Sequence, residues 1–110
     1  MSWETLVTGE FVFKRKPSKK DIELIKEHLE IYPECKTEWG IDKIEIEKRK
    51  EGYIVAFLGL NWTSHLSKDE IEALIKKLKP KLSRYAISLY YLNEPHEDFY
   101  WEEGEDNADE

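Results

Sequence analysis

The longest nearly all-apolar stretch of the chain is Tyr53-Ile54-Val55-Ala56-Phe57-Leu58-Gly59-Leu60, which carries no charge and lies between a Gly-bearing turn and a helix-start signal. A strand apolar on both faces belongs in the middle of a sheet. Upstream, Glu10-Phe11-Val12-Phe13-Lys14 alternates and is rich in strand formers, with Trp3-Glu4-Thr5-Leu6-Val7-Thr8 as a first half before Gly9. After Pro17, Ser18 is placed to cap a helix with Asp21 at the reciprocal position. Ile22, Ile25, Leu29 and Tyr32 then recur at helical spacing until Pro33 stops the run. Asp42-Lys43-Ile44-Glu45-Ile46-Glu47-Lys48 alternates strictly, as a half-exposed strand should, and Arg49-Lys50-Glu51-Gly52 turns it back into the central strand, which is expected to run to about Trp62.

Leu66-Ser67-Lys68-Asp69-Glu70-Ile71 predicts a second helix opened by a capping box, with Leu66 and Ile71 spaced as a hydrophobic staple. Its apolar stripe is Ile71, Leu74, Ile75, Leu78 and Leu82, and Pro80 should kink it or end it early. Tyr85-Ala86-Ile87-Ser88-Leu89-Tyr90-Tyr91-Leu92 reads as the last main strand, and the run Phe99-Tyr100-Trp101 beyond a polar turn reads as a terminal hairpin. The order strand, helix, strand, strand, helix, strand predicts an α+β, two-layer ferredoxin-like βαββαβ sandwich. Its expected strand order is 4-1-3-2, with a C-terminal β-hairpin extension.

At 110 residues, with 40% apolar and 37% charged side chains, the chain fits one domain, expected over residues 1–101. The net charge of −7 is mostly local: Glu102, Glu103, Glu105, Asp106, Asp109 and Glu110 crowd the last nine residues, an acidic tail over 102–110 that is expected to be disordered. Removing those six acids from 24 leaves 18 against 17 bases, so the remainder is close to neutral. A single Cys35 excludes an intrachain disulfide, and no apolar segment approaches the roughly 20 residues that span a bilayer. The start Met1-Ser2-Trp3-Glu4 has no basic region followed by an apolar core, so a cytoplasmic location is expected.

Chemistry-bearing motifs are sparse. His28, His65, His96 and Cys35 are separated by long, unrelated intervals, with no C-x-x-C or H-x-x-x-H pair, and no metal site is expected. His28 is expected on a helix surface. Glu94, His96, Glu97 and Asp98 form the tightest titratable group, in a turn where charged residues gather in any case. The five glycines never cluster into a phosphate loop, so no nucleotide cofactor is expected. No catalytic residue emerges, and the reading leans away from an enzyme. Two basic clusters, Lys14, Arg15 and Lys16, and then Lys76, Lys77, Lys79, Lys81 and Arg84, are the candidates for contact with nucleic-acid phosphates.

Aromatics are the unusual component: four Trp, six Tyr and four Phe. A two-layer fold leaves one sheet face uncovered, and exposed aromatic area there would mark a partner surface. Tyr53 and Phe57 share one face of the central strand and would be the stacking platform if the chain bound bases as RNA-recognition domains do. Glu51-Gly52-Tyr53-Ile54-Val55 matches that signature only at Gly52 and Tyr53.

Trp39-Gly40-Ile41-Asp42, Gly59-Leu60-Asn61-Trp62 before a capped helix, and Tyr90-Tyr91-Leu92-Asn93-Glu94-Pro95 together resemble the ferredoxin-like domain of YubB-type proteins of plasmids and phages, over about residues 37–104. Lys43 stands where a second Trp is common in that family, and His96 where Gly is usual. The resemblance implies a fold and a mobile-element setting without an activity.

The resulting expectation is a noncatalytic interaction module without cofactor or metal, binding a protein or a second copy of itself through Trp39, Tyr53, Phe57, Trp62, Tyr90 and Trp101. Alternatives from other classes are a single-stranded nucleic-acid binder using the two basic clusters, and an acidic inhibitor of a nucleic-acid enzyme acting through its tail.

Overall fold

In a computed structural model of the chain, residues 5–33, 42–61, 66–92 and 97–104 are described. They form β1 (Thr5–Phe13), α1 (Lys19–Leu29), β2 (Lys43–Arg49), β3 (Gly52–Asn61), α2 (Lys68–Leu78) with a 3-10 turn at Lys79–Lys81, β4 (Leu82–Tyr91) and β5 (Glu97–Glu103). The protein is α+β: one sheet in the order β2-β3-β1-β4-β5, every neighbouring pair antiparallel, with two helices. β1 is continuous through Gly9. β5 hairpins onto β4 as the outer strand and runs two residues into the acidic segment, to Glu103.

Strand alternation sends Val7, Phe11, Phe13, Val55, Phe57, Ile87 and Leu89 to one side of the sheet, where they bury in a single cluster with Ile25, Leu29, Ile71, Leu74, Ile75 and Leu78 from the two helices. Burial of one such side chain contributes roughly 1.5–3 kcal/mol. Leu66 and Ile71, the expected staple, are both members of this core.

α1 opens on the expected capping box: Ser18 Oγ accepts the Asp21 amide at 3.1 Å, and the Asp21 carboxylate accepts the Ser18 amide at 2.9 Å. Asp21 is only 4% exposed, and its second oxygen takes the Lys81 ammonium at 2.7 Å, which fastens the start of α1 to the turn after α2. The helix ends sooner than its stripe predicts. Glu30 adopts the left-handed conformation (φ 54°, ψ 45°), and its amide and that of Ile31 both reach Lys26 O. Ile31 therefore takes the buried place, and Tyr32, assigned to the stripe by spacing, is 41% exposed.

α2 keeps half of its predicted capping box. Ser67 Oγ accepts the Glu70 amide at 3.4 Å, but the Glu70 carboxylate turns to His28 Nδ1 at 3.0 Å rather than back to its own helix start. Pro80 ends the helix as expected, in the 3-10 turn.

Two expectations follow. Burial alone would raise the Asp21 pKa, but the Lys81 ammonium and the Ser18 amide and hydroxyl outweigh it and hold the carboxyl below its ordinary value. A depressed folded pKa gives stability that is complete above the unfolded value, about 4, and is lost as pH falls through the folded value. Asp21→Asn should lower stability by roughly 1–3 kcal/mol at pH 7 in urea melts, and the gap from wild type should shrink below pH 4. Glu30→Gly, which removes the side-chain cost of a left-handed residue, should raise stability by roughly 0.5–1 kcal/mol in the same assay.

Candidate functional site

The face of the sheet opposite the helices is where the chain presents an organised surface, and the ladder register orders it into cross-strand rows. Leu60, Leu6, Tyr90 and Asp98 form the first row, and Lys43, Leu58, Thr8, Ser88 and Tyr100 the second. The third is Glu45, Ala56, Glu10, Ala86 and Glu102, and the fourth is Glu47, Ile54, Val12 and Arg84. Leu60, Leu6 and Tyr90 of the first row and Leu58 and Tyr100 of the second form an apolar patch, with Lys43, Thr8 and Ser88 as polar positions among them. The third alternates carboxylates with alanines, so an acidic line borders an apolar patch.

No element among the described residues covers this patch. Leu6, Leu58, Leu60 and Tyr90 are partly exposed, and Tyr100 is 61% exposed. Tyr100 donates its hydroxyl to Glu102 Oε2 at 2.6 Å, and the carboxylate pushes the phenol pKa above its usual value. Arg84 links the rows. Its guanidinium lies 2.9 Å from Glu10 Oε2 and 3.6 Å from Glu51 Oε1, while its buried Nε has no hydrogen-bond partner among the described residues. The fourth row is thus polar at its Arg84 end, and Val12, between Arg84 and Ile54, is fully buried.

The predicted interaction residues divide between the two faces. Tyr90 lies on the open face, as expected. Tyr53 and Phe57 do share a face of β3, but it is the helix-covered one: Phe57 is 3% exposed, 5.5 Å from the Phe11 ring, and Tyr53 packs at the edge of the same core with Lys48 above its ring. Neither can form the base-stacking platform. Alternation decides this, because Val55, Phe57 and Gly59 turn inward together and leave Ile54, Ala56, Leu58 and Leu60 outward.

Trp101 also lies on the helix side. It stacks on Phe99 at 6.2 Å and donates Nε1–H to Glu72 of α2 at 3.2 Å, so this face of β5 extends the core. Trp39, Trp62, Cys35, His65, Glu94 and His96 fall outside the described residues. Aromatic content does not point to Leu6, Leu58 and Leu60, and Tyr100, read only as part of the terminal hairpin, joins them on the open face. Counting alternate positions from the inward Phe11 and Val55 is the step that places the three leucines on the opposite face.

The basic candidates also divide. Lys77 meets His28 Nε2 at 3.0 Å, Lys79 pairs with Glu103 at 3.0 Å, Lys81 with Asp21, and Arg84 with Glu10, so most of the second cluster has partners within the fold. His28, expected on a helix surface, is instead wedged between the helices at 13% side-chain exposure. His28 thus bridges the helices, with the Glu70 carboxylate 3.0 Å from Nδ1 and the Lys77 ammonium 3.0 Å from Nε2. Lys14, Arg15 and Lys16 are exposed.

Among the described residues no group of three His, Cys, Asp or Glu is arranged to hold a metal ion, and no helix is long and apolar enough to cross a membrane. Comparison with protein-family models, with curated proteins and with solved structures gives no match.

Phe57→Ala tests the division of faces. A core position predicts a loss of about 3–5 kcal/mol in urea unfolding, whereas a surface platform predicts almost none.

Proposed function

We propose that the protein is a noncatalytic interaction module whose binding surface is the open sheet face, centred on Leu6, Leu58, Leu60, Tyr90 and Tyr100. The observation that carries this reading is the uncovered patch of Leu6, Leu58, Leu60, Tyr90 and Tyr100 beside a line of carboxylates. Burying such area against a partner is favourable, and the adjoining Glu45, Glu10 and Glu102 select a partner surface with basic residues at its rim. The element order and the placement of β1 between β3 and β4 support assigning the fold to the ferredoxin-like βαββαβ class, with β5 added beside β4. The YubB-type resemblance and the mobile-element setting it implies belong to the same proposal.

The test compares wild type with Leu58→Glu, a change on the open face that leaves the core intact. Light scattering across protein concentration and affinity capture from extract are read together. A dimer that Leu58→Glu returns to monomer, or a basic-surfaced protein retained by wild type and lost by the variant, supports the reading. A monomer at all concentrations whose captured proteins are the same for both forms would sink it.

A further inference from the structure

Three runs of cations, Lys14-Arg15-Lys16, Lys48-Arg49-Lys50 and Lys79-Pro80-Lys81, are far apart in sequence. The register brings them to one end of the sheet. Phe13, the last residue of β1, pairs with Tyr53 on one side and Leu82 on the other. The chain leaving β1 into Lys14 therefore passes the β2–β3 turn, where Arg49 faces Gly52, and the 3-10 turn that precedes β4. A hydrogen bond from Lys14 N to Lys81 O at 3.0 Å joins the first run to the third.

Between these two runs lies a cavity of about 380 Å³, bounded by Phe13, Lys14, Arg15, Lys16, Pro80 and Lys81. Its volume is in the range of ligand sites, roughly 300–1,000 Å³. The carboxylate that also borders it, Asp21, is already engaged by Lys81 and by the Ser18 amide, so it offers little repulsion to an incoming anion. No ion pair among the described residues engages Lys14, Arg15, Lys16 or Lys50. Arg49 and Lys79 do have carboxylate partners, Glu47 and Glu103, but on the exposed surface, where such pairs are weak.

The eight cations of the three runs outnumber the carboxylates described at this end, Asp21, Glu47, Glu51 and Glu103. Asp69 and Glu70 at the start of α2, and Glu97 and Asp98 at the start of β5, lie toward the far end of β1. The nine residues of β1 span roughly 26 Å, about three Debye lengths at physiological salt. The three runs spread across about 14 Å, the three strand spacings from β2 to β4, which is wider than one phosphate group and suits a polymer.

We infer that this end binds the phosphate backbone of a nucleic-acid strand, successive phosphates meeting the cations of the three runs. The contact is independent of base sequence, because the groups this end presents are ammonium and guanidinium. It uses residues distinct from the open sheet face.

The experiment is fluorescence anisotropy with a labelled mixed-sequence single-stranded DNA of about 20 nucleotides, at about 50 and 200 mM salt. Three neutralised phosphates predict a salt slope near −2 and an affinity loss of about 20-fold over that range. Arg15→Glu/Lys16→Glu should weaken binding about tenfold or more at the lower salt and flatten the slope by roughly 1–2, with circular dichroism unchanged. Lys50→Glu, in a different turn, should weaken binding in the same direction. Leu58→Glu should bind as wild type does, which separates this site from the sheet face. Absence of binding at the lower salt, equal binding by the charge-reversed variants, or a loss confined to Leu58→Glu would each overturn the inference.

Discussion

Every surface of this protein inherits the register of β1. That strand is hydrogen-bonded on both sides, to β3 and to β4, and its pleat decides which residues meet the helices. Val7, Phe11 and Phe13 turn inward, and a slip of one residue would carry Thr8 and Glu10 into the core while exposing the phenylalanines. Gly9 makes the fit possible. It holds φ 148°, and a Cβ there would run into the Ala86 carbonyl and the Ile87 Cα. The same register lines up the apolar patch of the open face and delivers the three basic runs to one end.

The strands and helices were legible because each rests on a local rule. Alternation in β2, the Ser18–Asp21 capping box and Pro80 after Leu78 each act within a few residues of chain, and the structure keeps them. The errors occurred where a distant partner competes with the local rule. Glu70 would complete its own capping box, yet His28, 42 residues away, takes its carboxylate. Tyr32 continues a helical stripe, yet the chain turns at Glu30 so that Ile31 can fill space against the small Gly59.

The face of an aromatic residue was the least legible property. Phe57 and Tyr90 both lie in apolar strands, and only pairing with β1 sets Phe57 inward beside Gly9 and Tyr90 outward beside Leu6. The candidate site was accordingly half visible: a sheet face was anticipated, while its leucines became evident only once the rows were aligned. Strand addition at an edge is disfavoured by comparison, since β2 and β5 present mainly charged, exposed side chains along the two outer ladders.

The central place of β1 also governs the order in which the chain can assemble. β1 is synthesised ahead of both its ladder partners, which begin at Tyr53 on one side and Leu82 on the other. Contacts of such long sequence separation form late and slowly. A ribosome must therefore deliver most of the chain before its most apolar early strand can be paired on both sides, and until then the segment from Leu6 to Phe13 is the part of the nascent protein most exposed to misassociation.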